Sequence, residues 1–225
     1  VELNRKAEPQ EPLPDLLTRA YYFLGLDWLE TAKKWAQEPN HKTPPVMITV
    51  TNRVETAARL EYAFEHKKIL IDELCDRDRL LRIDSDKLEM AEEQDEAETE
   101  IQPVAETGEE PERKLTKKQQ AEEMRKRVDT VGKLGQPGEQ IQNVISVGML
   151  SEGWDAKTVT HIMGLRAFSS QLLCEQVVGR GLRRTSYDIN PISHMFDAEY
   201  VNIFGVPYTF LPHESKEGPP PVPQT

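Results

Sequence analysis

Short apolar runs separated by helical segments are the feature of this sequence that most restricts its fold. Residues 46–50 and 159–163 are five-residue runs rich in β-branched side chains, and residues 141–150 follow a similar apolar pattern. Runs of this length and composition are typical of buried strands. The apolar residues of segment 121–131 instead recur at spacings of three and four, which indicates an amphipathic helix. The alternation predicts an α/β fold with a parallel sheet and helices on both faces.

The remaining elements follow from their local composition. A helix is expected from Asp15, which can cap it, and another from residue 53, capped by Thr51 or Asn52. A further helix is expected from a cap at Ser169 or Ser170 to about Arg184. Additional strands are expected at residues 68–71, 80–84 and 200–210. The predicted organisation is a linker at 1–14, a helical extension at 15–40, the α/β domain at 41–215, an acidic insertion within it at about 84–113, and a Pro-rich tail at 216–225.

The negative charge of the chain is concentrated in one segment. The formal net charge is −11, yet residues 84–112 alone hold 13 acidic side chains and one basic side chain. The rest of the chain has 27 basic and 26 acidic residues. The usual argument that an acidic protein avoids nucleic acid therefore applies only to the insertion, which we expect to be solvated or disordered.

The composition also indicates the cellular compartment in which the protein is expected. The sequence has no run of about 18 apolar residues, so no transmembrane helix is expected. Cys75 and Cys174 are too few for a disulfide framework, which favours a reducing, cytoplasmic setting. Because the chain begins with Val1 and has no leader pattern, we expect a piece of a longer protein.

The strongest local signal for chemistry is the run Gln-Val-Val-Gly-Arg-Gly-Leu-Arg-Arg at residues 176–184. On a helix, Gln176, Arg180 and Arg183 would lie within roughly 60° of one another. Guanidinium groups stay charged and match phosphate oxygens, so this face suits the phosphates of a nucleotide. Gly179 and Gly181 would together cost about 2 kcal/mol relative to alanine inside a helix, which favours a close approach of backbone or ligand. The alternative is a basic, solvated helix end.

These residues, with the Glu-Gly-Trp-Asp turn at 152–155, resemble motifs V and VI of the second RecA-like domain of superfamily 2 helicases. Residues 46–60 then resemble motif IV. Across residues 46–184 the chain is most similar to the helicase portion of type III restriction enzymes, because of the amino-acid sequences at 131–133, 153–155 and 172–184. The resemblance implies a RecA-like fold for the domain. It also implies an ATP-dependent DNA translocase or helicase within a restriction system.

The resemblance implies nucleotide-binding roles for the motif VI residues. Arg180 matches the arginine that contacts the γ-phosphate, and Arg183 matches the arginine finger that acts across the domain cleft. Gln176 and Gly179 match motif VI positions beside the nucleotide.

In motif V, Gly153 and Asp155 match residues that touch the nucleotide and link it to the bound strand. Thr51 and Asn52 follow the motif IV strand, where relatives contact the nucleic-acid backbone. Many relatives have a threonine six residues before the motif V glycine. This chain has Val147 there, so that phosphate hydrogen bond is either absent or supplied by Ser146.

Other parts of an ATP-hydrolysing site are missing from this sequence. Gly132 and Lys133 are followed by Leu134 instead of Ser or Thr, so they do not form a phosphate-binding loop. Asp72 and Glu73 follow an apolar run in the manner of a Mg²⁺-binding strand end, but a solvated loop is the favoured interpretation. The five histidines have no spacing typical of metal ligands, so no metal site is expected. The resemblance implies ATP with Mg²⁺ as the cofactor, with the metal ligands in a first RecA-like domain outside this chain.

The expected partners are that first domain, double-stranded DNA and a methyltransferase or specificity subunit, with no membrane. Two alternatives remain open. One is a non-catalytic interaction module of helicase-like fold that uses its acidic insertion to bind a basic partner. The other is a repair or RNA helicase of the same superfamily.

Overall fold

The computed structural model describes residues 3, 5–39, 41–84, 117–148, 154–166 and 171–206. Four α-helices are present in these ranges: α1 (Asp15–Trp35), α2 (Val54–Glu65), α3 (Lys117–Asp129) and α4 (Gln171–Gly181). Two short 3₁₀ helices lie at Asp72–Cys75 and Arg77–Arg79. The five strands are β1 (Val46–Thr51), β2 (Leu80–Asp84), β3 (Asn143–Val147), β4 (Val159–Gly164) and β5 (Asn202–Phe204).

The strands form one sheet in the order β2-β3-β1-β4-β5, and every pairing is parallel. β1 is the central strand, with Ile48 opposite Val144 of β3 and Ile162 of β4. All six residues of β1 are buried, as expected for a parallel strand covered on both faces. The predicted α/β class with a parallel sheet is confirmed.

Helices cover both faces of the sheet. On one face, β1 and β3 contribute Met47 and Ile145 to a core that includes Tyr21 and Leu24 of α1 and Leu60 of α2. On the other face, Ile48 and Val144 share a core with Val128 of α3 and Val177 of α4. The strands are therefore apolar at successive positions because each face packs against its own pair of helices.

The region predicted as a helical extension is packed directly on the sheet. Tyr21 and Trp28 of α1 are buried, the Tyr21 hydroxyl lies 2.8 Å from Thr49 Oγ1, and Trp28 Nε1 donates to the Pro45 carbonyl at 3.1 Å. The preceding segment also contacts α2, because Arg59 donates to the carbonyls of Glu11 and Pro12. α1 and the segment before it thus form part of the same core.

Several local predictions were wrong. Residues 68–71 do not form a strand: the amide of Ile71 bonds to the Ile69 carbonyl at 2.9 Å, and the first 3₁₀ helix follows. Asp15 is the first residue of α1 and makes no capping hydrogen bond, so it is not the predicted cap. Neither Thr51 nor Asn52 caps α2, whose N-cap is Arg53 without a side-chain bond. The predictions for the acidic insertion, the Pro-rich tail, Ser169 and Ser170 fall outside the described residues, apart from Asp84 at the end of β2.

In the described ranges, no helix combines the length and apolar character needed to cross a membrane.

A buried histidine connects α1 to the sheet and makes stability depend on pH. His161 Nε2 lies 2.9 Å from Asp27 Oδ2, and Nδ1 lies 2.9 Å from Thr160 Oγ1. Burial lowers the pKa of His161 below its ordinary value of 6.5, although Asp27 acts in the opposite direction. The unfolded chain therefore binds this proton at a higher pH than the folded chain does. The stabilising contribution is fully present above about pH 6.5 and is lost as the pH falls towards the lower, folded-state pKa.

We expect the free energy of unfolding to fall between about pH 7.5 and about pH 5.5, and to fall less in His161→Gln. Urea unfolding of both proteins at the two pH values measures this difference. The pKa of His41 is also lowered, mainly by burial, so only the difference between the two proteins reports on His161. Equal pH dependence in both would contradict the assignment.

Candidate functional site

Two arginines and the turn before β4 form the candidate site. Arg180, near the end of α4, donates from Nη1 to the Trp154 carbonyl. Arg183 donates from Nη1 to the same carbonyl at 3.1 Å and also pairs with Asp155 through Oδ1. One backbone oxygen therefore brings the two guanidinium groups together.

Trp154 fixes the position of this carbonyl. Its side chain is only 2% exposed, and its indole Nε1 donates to the Val128 carbonyl of α3 at 2.8 Å. The Arg180 guanidinium carbon lies 5.9 Å from the centroid of the Trp154 ring, within range of a cation–π contact. No role was predicted for Trp154 from the sequence. The signal available there was the indole N–H, which needs an acceptor whenever tryptophan is buried.

The helix that carries Arg180 ends earlier than predicted. α4 stops at Gly181 instead of extending to about Arg184, so Arg183 does not share a helical face with Gln176 and Arg180. Arg183 reaches Asp155 from the segment that follows the helix. Gln176 is exposed on α4, and no described hydrogen bond or ion pair joins it to either arginine. The face predicted from a continuous helix is therefore replaced by a convergence of two separate segments.

The local charge favours an anion. Arg180 is partly buried, and this burial lowers its pKa, as does the neighbouring charge of Arg183, while Asp155 acts in the opposite direction. A guanidinium nevertheless stays protonated at neutral pH. Among the described residues, the Asp155 carboxylate lies beside the two guanidinium groups. The Arg183 side chain is 37% exposed, so an incoming group can reach it.

The two glycines of α4 have different surroundings. A Cβ on Gly181 would lie 2.4 Å from Val201 Cγ2 and 3.1 Å from Ile162 Cδ1, so packing between α4 and the sheet explains this glycine. A Cβ on Gly179 would have no atom within 4 Å. Packing in the described structure therefore gives no reason for Gly179, which lies on an open surface.

This difference gives a matched pair of substitutions. Gly179→Ala is expected to raise the free energy of unfolding by about 0.5–1 kcal/mol, because alanine is the better helix former and meets no obstacle. Gly181→Ala is expected to lower it by about 1–3 kcal/mol, because Val201 would have to move. Urea unfolding of both variants measures the two effects. Destabilisation by Gly179→Ala would contradict the open surface.

The residues predicted to contact nucleic acid lie at the carboxyl ends of β1 and β3. Thr51 is buried, and its hydroxyl donates to the Ser146 carbonyl at 3.2 Å. This hydroxyl joins two strands, so the structure gives Thr51 a role in the sheet instead of an exposed contact. Asn52 is exposed. The Ser146 side chain is buried, and its Oγ has no hydrogen-bond partner among the described residues.

The remaining predicted residues lie elsewhere. Gly153 falls outside the described residues, as do its neighbours at 149–152. Asp72 is exposed and pairs with Lys67 at 3.0 Å, in line with a solvated position. Within the described ranges, no group of three or more His, Cys, Asp or Glu side chains could hold a metal ion.

No protein-family model matches this chain, and a search of curated proteins also finds no match. The assignment of a class therefore depends on the parallel α/β sheet and on the arginine cluster beside it.

Proposed function

We propose that this chain is the second RecA-like motor domain of an ATP-dependent DNA translocase or helicase of superfamily 2, within a type III-like restriction enzyme. In this proposal the chain supplies Arg180 and Arg183 to an ATP site that a first RecA-like domain completes. The residues that hold Mg²⁺ belong to that first domain.

The order of the strands supports the proposal. The three segments that resemble motifs IV, V and VI are β1 with α2, the connection between β3 and β4, and α4. In the sheet, β1 lies directly between β3 and β4. Asn52 and Ser146 lie at the carboxyl ends of β1 and β3, where ligands of open parallel sheets collect, whereas Trp154 and Asp155 precede the first residue of β4.

The observation on which the proposal chiefly depends is the convergence of Arg180 and Arg183 on the Trp154 carbonyl, with Asp155 beside them. This donor set fits a polyphosphate because guanidinium groups stay charged and bind phosphate oxygens in pairs. When bound, ATP would supply the phosphoryl group whose transfer to water drives movement. Arg180 and Arg183 would stabilise the charge on that group.

The ion pair with Asp155 must open before Arg183 can contact a phosphate group. In the structure, Arg183 contacts Asp155 and the Trp154 carbonyl. To act as an arginine finger, it must exchange at least the carboxylate for phosphate oxygens. Asp155 then keeps Arg183 oriented until the two domains close on the nucleotide.

The split site is tested by measuring ATP hydrolysis by residues 1–225 alone. We expect negligible turnover, because this sequence contains no phosphate-binding loop. The Arg183→Ala form of the same chain identifies contaminating activity, which would be equal in both preparations. Turnover that is present in the unchanged chain and lost in Arg183→Ala would contradict a site shared with another domain.

A further inference from the structure

A cavity of about 540 Å³ lies between the amino-terminal segment, the start of α1 and α2. Its polar lining consists of Arg5, Asp15 and Arg59, and its apolar lining includes Leu13 and Leu16. Pockets of this volume commonly hold small molecules. The cavity is formed by different elements from those around Arg180 and Arg183, so its function can be considered independently of the proposed motor.

Arg59 brings a buried donor to this cavity. Arg59 is only 2% exposed. Its Nε donates to the Glu11 carbonyl at 3.3 Å, and its Nη2 donates to the Pro12 carbonyl. Nη1 is also buried, and it has no acceptor in the part of the chain that the structure describes. A buried guanidinium N–H without an acceptor is unfavourable. Burial and the nearby charge of Arg5 lower the pKa of Arg59, which Glu11 only partly opposes.

The start of α1 adds a second set of donors. The amides of Leu17 and Thr18 bond to the Pro14 carbonyl at 2.9 Å and 3.1 Å, and no side chain caps the helix. The amides of Asp15 and Leu16 have no acceptor within the described ranges. Exposed amides at the positive end of a 21-residue helix favour an anion. Arg59 and the first residues of α1 thus line the same cavity, and both elements carry donors without an acceptor among the described residues.

We propose that this cavity binds a small molecule that carries one carboxylate on an apolar body. The carboxylate would accept from the first-turn amides and from Arg59, and the body would contact Pro12, Leu13 and Leu16. Arg5 is already paired with Glu11, and Asp15 also lines the cavity, so a ligand with a second negative charge would meet repulsion. The charge of the lining therefore favours a carboxylate over a phosphate.

Titration of the ¹⁵N-labelled chain with hexanoate tests the proposal by NMR. We expect saturable shifts of the Asp15 and Leu16 amides and of Arg59 Nε–H, with no matching shifts from hexanol, which lacks the charge. Absence of saturable shifts with hexanoate would overturn the proposal. Binding of inorganic phosphate as tightly as hexanoate would overturn the assigned ligand class.

Variants separate the cavity from general anion binding. Leu16 is 82% exposed, so Leu16→Asp is compatible with folding, and it should weaken hexanoate binding about tenfold by adding negative charge. Arg19→Gln, at an exposed position of the same helix, serves as the control and should bind as the unchanged chain does. Arg59→Lys should also weaken binding, and Leu16→Asp keeps the test decisive if that variant folds poorly. Unchanged affinity in Leu16→Asp would contradict a ligand in this cavity.

Discussion

Arg183→Ala is expected to lower ATP turnover about 10³–10⁵-fold in a protein that carries both motor domains. The reason is that an arginine finger stabilises charge that develops only during phosphoryl transfer. The side chain of Arg183 contacts the Trp154 carbonyl and the exposed Asp155 and does not belong to either hydrophobic core. Folding and DNA binding should therefore be retained. Steady-state ATP hydrolysis and DNA affinity, measured on the same preparation, test both parts.

Two variants control this experiment. Arg77→Ala removes an arginine whose side chain is 84% exposed and which pairs with Glu65, and it should leave turnover unchanged. Arg183→Lys keeps the charge but loses the paired donors of the guanidinium, so most of the turnover should still be lost. Unchanged hydrolysis in Arg183→Ala would favour the alternative of a non-catalytic interaction module.

Trp154→Ala is expected to lower the free energy of unfolding by about 3–5 kcal/mol. The indole is buried in the core between α3, α4 and the sheet, and it donates to the Val128 carbonyl. Truncation would leave a cavity and would remove the indole donor from the Val128 carbonyl, which would keep only its 3.4 Å bond from the Val131 amide. Urea unfolding of the variant measures the loss, and a loss of less than about 1 kcal/mol would mean that Trp154 is not a packing anchor.

Trp154→Phe separates the two contributions. Phenylalanine keeps most of the apolar volume and loses the N–H donor, so we expect a smaller loss of about 1–3 kcal/mol. A loss equal to that of Trp154→Ala would assign the whole effect to the hydrogen bond.

Much of the fold could be predicted because burial on both faces leaves a local signature. β1 and β4 were predicted to within one residue, since both strands are buried along their whole length and are rich in apolar residues. The same kind of pattern led to the wrong prediction of a strand at residues 68–71. Ile69 and Ile71 are buried at alternate positions, as in a strand, but Ile71 packs beneath Gly25 of α1 instead of pairing with a neighbour. Alternating burial reports contact with a core and does not report hydrogen bonding.

The sequence indicated which charged residues belong to the candidate site but not the backbone arrangement that carries them. The pattern at 176–184 predicted one helical face that carries Gln176, Arg180 and Arg183, whereas the two arginines meet at the Trp154 carbonyl from two different segments. Helical spacing could not reveal that α4 ends at Gly181. It also could not reveal that a side chain at Gly181 would meet Val201, twenty residues further along the chain. The burial of Thr51 could not be predicted from local sequence either, because it depends on pairing with β3.

The acceptor that both arginines share belongs to the main chain, and this limits what mutation can reveal. Any residue at position 154 retains the main-chain carbonyl oxygen. No side-chain substitution there therefore removes the acceptor that Arg180 and Arg183 share. Substitutions at 154 can only displace it. Replacing the peptide linkage after Trp154 with an ester would instead weaken that oxygen as an acceptor while leaving the indole in place, and would report on the junction itself.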